Sequence, residues 1–108
     1  MTEQKLVADF RFAVNSSFIK SHVITIPSRW YKGMNEFGLG DAINAAVTYG
    51  AGAPMKGSIR SGWRAGGRYY QVRMNSADAN RELGQLRMGA ALRVRVLKTA
   101  QERLVEMT

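Results

Sequence analysis

Five basic residues, Lys56, Arg60, Arg64, Arg68 and Arg73, fall between Asp41 and Asp78, a window that contains no Asp or Glu. Trp63 and Tyr69 are interleaved with them. A guanidinium group forks two donors onto phosphate oxygens and an aromatic ring offers a π face to a base, so this combination points to nucleic-acid binding. Two further arginines, Arg93 and Arg95, alternate with Leu92, Val94 and Val96, which predicts a strand that turns both cations to solvent. The expected contact set is therefore Lys56, Arg60, Trp63, Arg64, Arg68, Tyr69 and Arg73, extended by Arg93 and Arg95. The whole chain leans the same way, because 16 Lys and Arg against 8 Asp and Glu give a net charge of +8. Such a field draws polyanions over long range. DNA is favoured over RNA. The competing readings are surplus charge kept for solubility and, for Trp63, a lid packed on the end of the fold.

Other chemistry finds little support in the chain. With no Cys there is no thiolate nucleophile, disulfide or thiolate metal site. His22 is the single histidine, and no carboxylate is placed near it in sequence, so a structural or exposed role is expected for it. The eight carboxylates show no metal-ligand spacing. The segment Gly50-Ala51-Gly52-Ala53-Pro54-Met55 lacks the third glycine of a dinucleotide loop, and Lys56-Gly57 does not have the order of a phosphate-binding P-loop. No enzyme, no cofactor, no metal and no small-molecule substrate is expected.

The elements that must carry the basic window are written nearly twice. Residues 10–47 read as a hairpin, a short helix and a strand, and residues 58–96 read as the same units after a Gly-rich linker at 48–57. In the first half Phe10, Phe12 and Val14 alternate with Arg11 and Ala13, Asn15-Ser16-Ser17 turns the chain, and Val23-Ile24-Thr25-Ile26 returns as the second strand. Trp30, Met34 and Phe37 then line one side of a short helix beginning near Ser28, in which Trp30 is core. The turn Gly38-Leu39-Gly40-Asp41 leads into a strand with Ile43, Ala45 and Val47 on one face. In the second half a hairpin over 58–74, with a long pliable loop at Gly62, Gly66 and Gly67, directs Tyr70, Val72 and Met74 inward and Tyr69, Gln71 and Arg73 outward. Asn75 or Ser76 caps a helix over 77–86, with Leu83 and Leu86 on its buried side, and Gly89 leads into the strand at Leu92–Val96. Over residues 97–108, Leu97, Ala100, Leu104 and Val105 recur at helical spacing, which predicts a short C-terminal helix.

The run Val23-Ile24-Thr25-Ile26-Pro27, followed by Gly38-Leu39-Gly40-Asp41-Ala42-Ile43 and matched in the second half by Leu86, Gly89, Leu92, Val94 and Val96, resembles the repeating unit of the cradle-loop barrels. That group contains double-psi β-barrels and the swapped-hairpin DNA-binding domains of AbrB and MazE type. The second half departs from the pattern with Asn75 for the proline and Ala90 for the aspartate. The resemblance implies a mainly β fold with short helices: a small pseudo-two-fold barrel of two ββαβ units, closed within one chain and completed by the C-terminal helix. It carries no specific DNA-contacting residue across. Double-psi barrels also include a pyruvoyl-dependent decarboxylase matured by cleavage at a Gly-Ser bond, but Gly57-Ser58 sits at a linker exit and is read as an ordinary pair.

At 108 residues the chain is expected to form a single domain over 1–108. Neither a leader-like N-terminus nor a span of apolar residues long enough for a bilayer is evident, so a cytoplasmic protein without membrane contact is expected. The apolar stripe of the tail is expected to dock on its own barrel, with contact to a second subunit of a homo-oligomer as the alternative. The alternative function is a structural or assembly subunit, of a virion or a multiprotein complex, that uses the basic hairpin as an arm onto its neighbour.

Overall fold

A computed structural model describes residues 4–35, 42–64, 67–100 and 102–108. Among them a single sheet runs through β1 (Lys5–Ala13), β2 (Val23–Thr25), β3 (Ala42–Tyr49), β4 (Met55–Arg64), β5 (Gly67–Met74), β6 (Ala91–Lys98) and β7 (Arg103–Met107), in the order β1-β6-β7-β3-β4-β5-β2. Neighbouring strands are antiparallel except β3 and β7, which are parallel. The sheet curls into a nearly closed barrel, and the fold is mainly β. Its short helices are α1 (Ser16–Ser21), α2 (Tyr31–Asn35), which follows a 3-10 turn at Ser28–Trp30, and α3 (Ser76–Leu83).

The alternation read from the sequence explains the core. Ala45 and Val47 on β3, Ile59 on β4, Tyr70, Val72 and Met74 on β5, and Leu92, Val94 and Val96 on β6 are all buried, while their strand neighbours, except the buried Leu97, are exposed or half-buried. Trp30 packs against this core, Met34 is fully buried beside it, and Tyr31 meets Tyr70 edge-on at 5.3 Å. Helix α2 lies against β1, where the free edges of β1 and β2 leave the barrel open. Gly33 permits this approach, because a Cβ there would sit 3.1 Å from the Val7 carbonyl oxygen. Phe37 and the Gly38-Leu39-Gly40-Asp41 turn lie outside the described residues.

The N-terminal hairpin expected from Phe10–Val14 and Val23–Ile26 does not form. β1 pairs with β6 and β2 pairs with β5, and the two stand at opposite ends of the sheet. The residues between them make a helix rather than a turn. Asn15 Oδ1 accepts a hydrogen bond from the Phe18 amide at 2.9 Å, Phe18 is buried, and His22 ends α1 in the left-handed region at φ 53°. His22 is itself buried against the edge of the Phe18 ring, in keeping with a structural role.

The C-terminal helix is also corrected: Arg103–Met107 is strand β7. Leu97 lies within β6 instead of opening a helix, and Thr99 turns the chain: its amide donates to the Glu102 carbonyl at 3.0 Å while its Oγ1 accepts the Glu102 amide at 2.9 Å. The reason is tertiary. β3 and β6 each offer an edge, and a strand between them fills hydrogen bonds on both sides, whereas a helix would leave both edges bare. Val105 and Met107 are buried in that position.

The linker shrinks to a turn at 50–54, because β3 continues to Tyr49 and β4 begins at Met55. Gly50 takes φ +55° there. Helix α3, capped by the Asn75 side chain, aims two carboxylates one turn apart at this turn: Glu82 accepts the Ala53 amide at 2.8 Å and Asp78 accepts the Lys56 amide at 2.9 Å.

Candidate nucleic-acid interface

The two strands that carry the basic window pair from Gly57 opposite Met74 to Arg64 opposite Gly67. Only Ala65 and Gly66 intervene, and they lie outside the described residues, as does the Arg64 side chain. The long loop expected at Gly62, Gly66 and Gly67 is thus replaced by ladder. Register follows from burial: Ile59 and Val72 are opposite one another and fully buried, which fixes the face of every other residue by parity.

One face of the hairpin is the outer surface of the barrel. It carries Lys56, Ser58 and Arg60 from β4 and Tyr69, Gln71 and Arg73 from β5. β3 extends it with Ala42, Asn44 and Ala46, and β2 extends it with Thr25, whose hydroxyl accepts from Gln71 at 3.5 Å. Lys56, Arg60 and Arg73 are exposed and are held in no ion pair among the described residues. No acidic residue occurs on either strand. The phenol end of Tyr69 lies over Gly62, where a Cβ would come within 2.6 Å of its Cζ. The glycine gives the ring a platform on an otherwise thin ribbon. Nothing in the sequence pairs these two positions; only the register does.

The other face of the tip carries Trp63 opposite Arg68. The Arg68 guanidinium stands 6.0 Å from the Trp63 ring and 5.5 Å from the Tyr70 ring, and donates to Ser61 Oγ at 3.0 Å. Arg68 is therefore built into the hairpin and differs from Arg60 and Arg73 in being anchored. Trp63 is 78% exposed, which excludes the lid reading. The β3 ladder stops at Arg60 and the β2 ladder at Gln71; of the four rungs beyond them, Ser61 with Tyr70 still has the Ile26 amide on the Tyr70 carbonyl, and the last three, Gly62 with Tyr69, Trp63 with Arg68 and Arg64 with Gly67, have no third strand beside them among the described residues. Among the described residues the tip is a two-stranded ribbon.

Arg93 and Arg95 are not brought to this hairpin, since β7 and β3 intervene between β6 and β4. They are also locally compensated. Arg93 donates from Nε to Asp9 Oδ1 at 3.0 Å and from Nη2 to Asp9 Oδ2 at 2.7 Å, and Arg95 stands between Asp9 on β1 and Glu106 on β7. The fork from Arg93 holds the Asp9 carboxyl below the ordinary carboxylate range, and Asp9 in turn raises Arg93. Among the described residues no group of three His, Cys, Asp or Glu is placed to hold a metal ion, and no helix is long and apolar enough to cross a membrane. Comparison of the chain with models of known families, with curated proteins and with solved structures returns no match.

Proposed function

We propose that this small β-barrel binds nucleic acid, with DNA preferred, through the β4–β5 hairpin, and that it does so without catalysis. The observation that carries the reading is a ribbon without Asp or Glu on either strand, with Lys56, Arg60 and Arg73 in no ion pair among the described residues on its outer face and a 78% exposed Trp63 at its tip. An exposed Trp is a costly way to end a hairpin unless its ring meets a partner, and base stacking is worth about 1–3 kcal/mol. A two-stranded ribbon also has the cross-section that the DNA major groove admits, which supports duplex over RNA helix, whose major groove is too narrow. The test is a low-salt binding screen against single- and double-stranded DNA and RNA, with the triple variant K56A/R60A/R73A beside the natural chain. Loss of binding with unchanged thermal stability is expected of the variant, and retained binding would count against the hairpin.

The duplicated, cradle-loop architecture belongs to the same proposal. Its support is that exchanging the halves converts the β1·β6 pairing into β3·β4 and maps β2·β5 onto itself. The β4·β5 pairing has no counterpart between β1 and β2, and β7 is an addition between β3 and β6. A cytoplasmic setting suits a chain without Cys. The second reading, an assembly subunit gripping a neighbour with the hairpin, is favoured by the same exposed Trp63. Light scattering on the nucleic-acid-free protein separates the two, because an assembly subunit forms large closed species and a DNA-binding barrel stays small.

A further inference from the structure

Away from the hairpin, Asp9, Phe10, Arg11, Arg29 and Arg93 line a cavity of about 490 Å³ on the outside of the barrel. Asp9 and Arg11 come from β1, Arg93 from β6 and Arg29 from the 3-10 turn that follows β2. Arg11 stands directly opposite Arg93 in the β1–β6 ladder. Like charges at opposite positions of an antiparallel pair repel, so a ladder that places two arginines there gives up stability unless something between them is negative. Asp9 meets only part of this need, since both of its oxygens are engaged by Arg93. Arg11 and Arg29 are exposed and stand in no ion pair among the described residues; Arg29 rests beside the Trp30 ring at 5.9 Å. Among the described residues, three guanidinium groups against one carboxylate leave a surplus of two positive charges around one concavity.

From this arrangement we infer that the pocket formed by Arg11, Arg29 and Arg93 is a binding site for a phosphate group. The charge surplus matches a phosphate dianion, and guanidinium forks approaching from a strand, its neighbour and a turn suit an anion with several oxygens better than a single planar carboxylate. Asp9 holds the Arg93 fork in one orientation, so one wall of the site is ordered before the anion arrives. Arg29 reaches the site from beyond the free edge of β1, so a bound phosphate ties the 3-10 turn to β1 and β6 where the barrel is open. The site does not rest on the hairpin reading, because it shares no residue with that surface.

The test adds inorganic phosphate to the isotope-labelled full chain and follows the Nε–H resonances of all arginines, with sodium chloride at equal ionic strength as reference. A joint, saturable shift of Arg11, Arg29 and Arg93 is expected with phosphate and not with chloride. The double variant R11A/R29A is expected to weaken phosphate binding at least tenfold. K56A/R60A/R73A is expected to leave the phosphate response unchanged even where it loses nucleic acid, which keeps this inference and the hairpin reading separately testable. A short DNA duplex then assigns the source of the phosphate: shifts of the three arginines with the duplex identify a backbone phosphate, and shifts with inorganic phosphate alone identify a free or small-molecule phosphate group. No saturable shift, a shift equally produced by chloride, or undiminished binding in R11A/R29A would overturn the site.

Discussion

Replacing Arg60 and Arg73 with alanine removes two charges from the outer face of the hairpin while leaving its ladder hydrogen bonds and its buried residues in place. Each phosphate neutralised by a protein cation contributes about 0.9 to the slope of log affinity against log salt on duplex DNA. If all five cations of the window are in contact, the slope is about −4.5, and a fourfold rise in salt lowers affinity roughly 500-fold. If Arg68 stays on Trp63, Tyr70 and Ser61 as the structure holds it, four cations remain and the loss is roughly 150-fold. The R60A/R73A variant should therefore flatten the slope by about 1.8 in either case. Arg95 is the control: it lies on β6 between Asp9 and Glu106, and R95A should leave the slope where it was. The assay is fluorescence anisotropy of a labelled duplex over a series of salt concentrations, with thermal melts of each variant to verify folding. A slope unchanged in folded R60A/R73A, or flattened as much by R95A, would refute the placement of the contacts.

Three further outcomes test the fold beneath the site. Val105 is fully buried at the centre of β7, so Val105→Ala should destabilise by about 2 kcal/mol and Val105→Pro should abolish folding; an exposed helical tail would tolerate both, and denaturant titration distinguishes the cases. Gly57→Ala should lower stability by about 2 kcal/mol or more in the same assay, since the new Cβ would fall 2.6 Å from the Arg73 carbonyl oxygen and 2.8 Å from Val47 Cγ2. The Asp9 carboxyl is depressed by its Arg93 fork, so its contribution is present above the unfolded carboxylate range and fades as pH falls through the folded value. Denaturation from neutral to acid pH should show a steeper loss in the natural chain than in D9N, and identical profiles would contradict the pairing.

The inward and outward faces of β3, β5 and β6, the Asn75 cap of α3 and the acid-free basic window were all legible in the chain. Each is a local property: a strand with one buried face must alternate, a helix start must satisfy its free amides, and charge is counted along the sequence. Which strands pair is not local. β1 carries the apolar alternation of a hairpin partner for β2, yet it takes the longer ladder offered by β6. The segment after Leu97 contains both a helical spacing of apolar residues and a strand-like alternation of Leu104, Val105, Glu106 and Met107; two open strand edges decide for the strand. The same choice of partners sets Asp9 against Arg93 across 84 residues of chain, taking one arginine out of the basic surface and leaving it beside Arg11 and Arg29. Composition and alternation determined that this protein is a small, basic, mainly β fold with a charged outward hairpin. Barrel closure, which weighs every edge against every other, decided where its cations meet.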